Sequence, residues 1–321
     1  MKQSIFVKNN QAKWNEFESK LTNTGTLSSD ELSLIYIHLT EDLAFAKANY
    51  PNTKLFTYLN SLALKVHTTV YKNKKEEKGR FRKFWAYEVP LEIRRSYKYI
   101  LIAFLITAAG ASIGALSSAN DETFVRLIMG DAYVDMTLNN IKEGDPMGVY
   151  GSMDGNHMFM AITSNNIRVS FVAFALGLFF SVGAGWVLFQ NGVMLGAFHY
   201  LFFKEGLFDD TILTIWLHGT IEIWSIIVAG AAGIVLGNSF LFPGTYPRLY
   251  SFQRGAKQAI KVVLGLLPFF IVAGFIESFV TRHTEWPLYL KLLIISLSLL
   301  LILFYFFYLP LKTNPHDHTK N

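Results

Sequence analysis

The stretch LHGTIEIWSIIVAGAAGIVLG, residues 217–237, decides the fold. It is apolar and long enough to cross a bilayer, whose hydrocarbon layer needs roughly 20 helical residues. Near its start stand His218 and Glu222. They are four residues apart and so share one face of a helix. Ionisable groups at that depth are costly and rarely face lipid. They pair, line a cavity or bind something. Outward from this stretch, further apolar runs read as spans at Tyr99–Leu116, Val169–Phe189, Val262–Val280 and Leu288–Leu309. The run that holds the decisive stretch extends over Ile212–Leu236, and a shorter apolar piece lies at Val193–Phe203.

Composition agrees. The 321 residues are 51% hydrophobic and 17% charged, against about 25% charged in soluble domains. The predicted fold is all-α: a polytopic transmembrane bundle of about six crossings, one of them short or broken. It occupies residues 96–310, after a cytoplasmic or peripheral helical region at 1–95. A polar cytoplasmic tail, 311–321, ends the chain. Without cysteine, disulfides, thiolate catalysis and Cys-based metal or Fe–S sites are excluded. The net charge of +5 implies no nucleic-acid partner. The basic residues concentrate at Lys72–Lys98, just before the first span. That placement is a topology signal with attraction to anionic lipid. MKQSIFVKNNQAKWNEFESK has no apolar signal region, so both termini are expected in the cytoplasm.

Helical stripes organise the N-terminal region. Trp14, Phe17 and Leu21 mark residues 8–21. Leu32, Ile35, Tyr36, Leu39 and Leu43 mark 30–49, with Ser28 and Ser29 as N-caps. Leu55, Leu59, Leu62 and Val66 mark 52–72. His38 and His67 read as ordinary surface or packing histidines. Residues 76–95 mix Phe81, Phe84, Trp85 and Tyr87 with basic residues, as a helix at headgroup level does. Pro90 should break it.

Charge tests the topology. The 118–166 loop is acidic and falls outside, while the 238–261 loop is basic and belongs inside. That works only if Val193–Phe203 crosses. This piece is short for a straight crossing. A broken helix gives six crossings, and a re-entrant hairpin gives five full spans. Residues 121–143 read as one amphipathic helix, with Phe124, Leu127 and Ile128 on its apolar side. The long outer loop has room to cover a cavity mouth or hold a partner.

His218 and Glu222 form either a pair that fixes packing or a functional polar site. Two ligands are too few for a metal, and the HExxH order is absent, so no metal or cofactor is expected. Glu277 is either a second intramembrane carboxylate or an interfacial group beside Arg282 and His283. Gln190 and Asn191 beside Gly192 suit a broken helix. Arg168 reads as an interface anchor. Gly192 with Gly196, and Gly233 with Ala229 and Gly237, let helices approach closely and offer a dimer face. No phosphate-binding GxxxxGK[ST], no GxSxG and no extramembrane carboxylate cluster is present, so the chain reads as non-enzymatic.

NGVMLG at 191–196, HGTIEIWSIIVAGAAGIVLG at 218–237 and FPG at 242–244 resemble the stage II sporulation protein M family of bacterial membrane proteins. The positions that carry the resemblance are Asn191, Gly192, Gly196, His218, Gly219, Glu222, Gly230, Gly233, Pro243 and Gly244. It implies a multi-pass protein of the bacterial inner membrane. In sporulating bacteria the family member is the membrane scaffold for peptidoglycan-degrading partners. The fold is also distantly similar to membrane subunits of exporters driven by separate ATPases.

Two functional expectations follow. The first is a non-enzymatic scaffold that recruits membrane or cell-wall proteins, with homo-oligomers as a further form. The second is a permease or channel component in which His218, Glu222, Asn191 and Glu277 line a path. Histidine titrates near neutrality, so the second carries an expectation of proton linkage.

Overall fold

The computed structural model describes residues 2–22, 29–72, 79–151 and 154–313, and the regular elements in them are all helical. The chain divides into two compact units, residues 1–80 and 81–321.

Helices α1 (Gln3–Thr22), α2 (Ser29–Asn49) and α3 (Lys54–Lys72) make the first unit. Their stripes meet in one core around Trp14, Leu39, Leu59 and Val66, all buried. Phe6 joins it, because α1 starts a turn and more before the expected residue 8. Tyr36 leaves it, 38% exposed, since it sits one position off the 32–35–39 stripe. His38 and His67 are exposed, as expected. The N-caps Ser28 and the side chain of Ser29 lie outside the described residues, as does the tail beyond Thr313.

The second unit follows α4 (Arg80–Lys83) with a π-helical turn, Phe84–Glu88, and α5 (Val89–Arg95). Pro90 does not break this segment. It occupies the first turn of α5, where a proline fits without loss. The chain turns instead at Ser96. Then come α6 (Tyr97–Asn120), α7 (Glu122–Met129), α8 (Asp131–Lys142), a 3-10 turn at Gly148–Gly151 and α9 (Gly155–Leu176). Gly130, with φ of 84°, splits the expected 121–143 helix into α7 and α8, since a left-handed residue ends a helix.

Next are α10 (Val182–Lys204), α11 (Phe208–Leu241), α12 (Arg248–Gly265) and α13 (Leu267–Phe275), with a π turn at Ile276–Val280. The last span is α14 (Leu288–Ile302), a π stretch Leu303–Tyr308 and α15 (Leu309–Lys312). Among the described residues, five helical stretches are long and apolar enough to cross a membrane: Tyr97–Asn120, Gly155–Leu176, Thr211–Leu241, Arg248–Val280 and Leu288–Lys312. This is a multi-pass membrane protein.

The short or broken segment is neither short nor broken. Val193–Phe203 is the second half of α10, a continuous helix of 23 residues and so about 34 Å long. The break lies earlier, at 177–181, inside the apolar run expected to be one span. There Phe180 and Ser181 take φ of 53° and 67°, and the Ser181 hydroxyl donates to the Ile234 carbonyl at 3.0 Å. The basic 238–261 loop is also largely helix, so Arg254, Lys257 and Lys261 lie within α12. Arg168 is exposed but well inside α9, not at its start.

α11 is the central helix, packed by α6, α9, α10, α12, α13 and α14. Its sequence is apolar on nearly every side, which suits burial. Glycines set the closest contacts. A methyl group on Gly192 or Gly196 would run into the α6 backbone at Thr107 or Ala111. One on Gly233 or Gly237 would meet the chain at Ala173 or Gly177. Gly230 abuts Leu188 of α10. These glycines serve contacts inside the bundle. The second unit starts and ends at one end of the bundle: Arg94 donates to the Thr313 carbonyl at 2.8 Å, and Tyr305 to that of Trp85 at 2.9 Å.

Candidate functional site

The decisive pair stands in α11, and its third member arrives from the far end of the α12–α13 span. His218 and Glu222 share a face of α11. Glu277 sits in the π turn, which the Thr281 amide closes on the Ile276 carbonyl at 2.9 Å. A π turn carries one extra residue per turn, shifts the register of the side chains after it, and recurs at functional sites. Here Glu277 and Thr281 both reach His218. His218 Nε2 lies 3.8 Å from Glu277 Oε1. One donor atom from each of His218, Glu222 and Glu277 lies within 4.8 Å of the others. Of the two readings of Glu277, the geometry fits the polar site: its side chain is 15% exposed and turned toward His218 of α11.

The hydrogen bonds around His218 fix its orientation. Its Nδ1 is 3.1 Å from Thr281 Oγ1. The Thr281 hydroxyl donates to the Ile276 carbonyl at 3.2 Å. With that proton on the carbonyl, the Thr281 oxygen is free to accept from Nδ1–H, which assigns the tautomer from the network. In that tautomer Nε2 presents its lone pair toward Glu277. Asn166 of α9 approaches Glu222. Yet Asn166 Nδ2 and Glu222 Oε2 are both buried with no hydrogen-bond partner.

These groups border a cavity of about 690 Å³. Its wall is mostly apolar, with Met158, Ile162, Met194 and Phe198 among the lining residues. Ile128, Tyr133 and Tyr150 also line it, so the connection between α6 and α9 covers part of the cavity; it is shorter than the expected 118–166 loop, because residues 155–166 are the first half of the α9 span. Burial pushes the Tyr150 hydroxyl well above its ordinary range, which leaves it a neutral donor near neutral pH. Asn191 lines the cavity too, but its amide donates to the Val187 carbonyl of its own helix at 2.8 Å. It mends no helix break.

Gly219 differs from the other glycines. It faces the cavity, and a methyl there would meet only the end of Ile223. Pro243 and Gly244 belong to the turn between α11 and α12, where Gly244 takes φ of 64°. Sequence reasoning gave no role to Asn166, Tyr150 or Thr281. The polar run TSNN at 163–166, inside an otherwise apolar helix, was the available signal for Asn166. Nothing in the local sequence distinguishes Tyr150.

The comparisons cover both units. Residues 4–72 match a domain of unknown function, DUF8413. A protein of Methanocaldococcus jannaschii described as uncharacterized, MJ0706, is 27% identical over 131 residues. That match spans 40% of this chain and 58% of the archaeal protein. No solved structure matches. Residues 102–282 match the family described as Stage II sporulation protein M, a region that holds the whole lining of the cavity and more than half of the chain. The chain belongs to the Stage II sporulation protein M family.

Proposed function

We propose that the membrane unit is a solute-binding, permease-type component of a cytoplasmic membrane. The cavity carries this reading. A polar pair that served packing alone would be enclosed by side chains. Here His218, Glu222 and Glu277 face a space of about 690 Å³, within the roughly 300–1,000 Å³ of small-ligand sites. The sequence has no phosphate-binding loop, so an active transporter of this kind draws on a separate ATPase or an ion gradient. The reading assigns the chain no covalent chemistry.

The test is ion and proton flux in liposomes holding the purified chain. Glu222→Gln is expected to bring flux to background at equal protein abundance. Equal flux in the variant, or none from well-folded wild type, counts against the permease reading and favours a scaffold. The scaffold reading has its own support in the first unit, which has a separate core and matches a separate family. Under it, deleting residues 122–151, which leaves the α6 and α9 spans whole, abolishes recovery of membrane or cell-wall partners, and Glu222→Gln leaves recovery intact.

The orientation follows from charge. Arg94, Arg95 and Lys312 stand at the end where the second unit begins and closes, and Arg248 and Arg254 lie in the first two turns of α12. Basic residues mark the cytoplasmic side, so that end faces inward. Because the chain lacks cysteine, single introduced thiols report cleanly. Asp145→Cys should react with an impermeant maleimide in intact cells, and Arg248→Cys only after permeabilisation. The reverse pattern would invert the topology.

A further inference from the structure

We propose that His218, Glu222 and Glu277 bind a divalent transition-metal cation of the Zn2+ or Mn2+ class inside the membrane unit. The inference rests on the cavity being a ligand site and names the class of ligand. The sequence displays only two ligands, and the fold supplies the third from 55 residues downstream of Glu222. Three observations converge. First, the donor atoms cluster within 4.8 Å. Tetrahedral ligands about 2.1 Å from one metal stand about 3.4 Å apart, so the longest separation needs to close by about 1.4 Å. Rotation of a glutamate side chain supplies that.

Second, in the tautomer that donates Nδ1–H to Thr281, Nε2 presents a lone pair to a carboxylate 3.8 Å away. Two acceptors facing one another call for a cation or a proton between them. A metal-bound histidine that hands its other ring proton to an outer oxygen has this same arrangement. Third, the cavity lining holds two carboxylates and, among the described residues, no lysine or arginine. Asn166, 6% exposed, adds a buried Nδ2 that lacks a hydrogen-bond partner at bonding geometry, on a side chain that approaches Glu222. Its oxygen and nitrogen exchange places by a simple flip, so it can serve as a fourth donor or hold Glu222 in place. One imidazole with carboxylates suits Zn2+ and Mn2+. Mg2+ and Ca2+ prefer oxygen alone, and the lack of sulfur disfavours Cu+.

The experiment is calorimetric titration of Zn2+ and Mn2+ into chelator-stripped full-length protein in detergent. His316 and His318 of the tail are replaced by alanine throughout, to remove a second imidazole source. One Zn2+ or Mn2+ per chain is expected, with Mg2+ and Ca2+ failing to compete, and the bound metal should raise the melting temperature. Glu222→Gln and Glu277→Gln keep shape and hydrogen bonding. Each should weaken binding by more than the roughly 10–100-fold that loss of an outer-shell partner costs. Asn166→Ala should weaken it about 10-fold.

No saturable Zn2+ or Mn2+ binding to folded wild type overturns the proposal, with protons alone then joining the three groups. Unchanged affinity in the Glu222→Gln, Glu277→Gln double variant also overturns it. Glu222-dependent flux without metal binding would sink this inference and leave the permease reading standing. Metal binding without flux would do the opposite.

Discussion

Gly196→Ala is expected to destabilise the membrane unit by about 3 kcal/mol, the upper end of what overpacking usually costs. Gly196→Leu should abolish recovery of monodisperse protein. The sign is the informative part. In an ordinary helix, alanine is more favourable than glycine by about 1 kcal/mol. At Gly196 the added methyl meets the carbonyl of Ala111 and the amide of Ala115, both backbone. A flexible side chain could rotate away, but two helix backbones separate only by losing their packing along α6 and α10. Gly110 and Gly114 of α6 face back at Phe189 and Val193, so the close approach is built from both sides. Gly185 of the same helix is the control. A methyl there would meet only the tip of Ile106 at 3.7 Å, so Gly185→Ala should be neutral or stabilising. Thermal unfolding in detergent, followed by loss of monodispersity, reads both. A melting temperature raised by Gly196→Ala would mean that α6 and α10 stand further apart.

This contact also shows what could be read in the sequence. Gly192 and Gly196 announce a close approach by spacing, yet nothing local says that GASIG at 110–114 is the partner. The same limit governs α10. Gln190, Asn191 and His199 depress its hydropathy, so its first half merged with the span before it and its second half looked too short. In the fold Asn191 faces the cavity, and His199 accepts from Trp216 Nε1 at 3.1 Å. Residues that serve the interior therefore disguise a helix as a fragment. The turn at 177–181 is hidden for the opposite reason. GLFFS is apolar and carries no proline, and its left-handed Phe180 and Ser181 are held by contacts with α11. His218 and Glu222 were legible because a helix places i and i+4 on one face. Glu277 joins them only through a distant π turn, and Asn166 only through the docking of α9. Local spacing finds partners on one helix, and tertiary packing decides which others complete a site.

Trp14→Ala is expected to cost the first unit about 4 kcal/mol, in the range for deleting a buried aromatic. Trp14 is 2% exposed. Its ring packs near Phe6 and Tyr58, at centroid distances of 5.6 and 6.2 Å. Its Nε1 donates to Asp42 at 2.7 Å, and Lys13 pairs with the same carboxylate at 2.6 Å. The residue therefore ties α1 to both α2 and α3. A unit of this size is stable by only about 4–12 kcal/mol, so the loss removes a large share of the total. Four kcal/mol raises the open population roughly 1000-fold. Where opening is fast relative to cleavage, the proteolysis rate follows that population. Limited proteolysis of the full-length chain should therefore show cuts within α1–α3 that are about 1000-fold faster in the variant, with the membrane unit's fragments unchanged. Trp14→Phe keeps the ring face and loses the bond to Asp42, so it should fall between. Equal cleavage in wild type and Trp14→Ala would mean that the unit's own core does not hold it folded. Faster cleavage confined to α1–α3 would establish it as a separately stabilised module, the property that a recruiting scaffold needs and a simple permease does not.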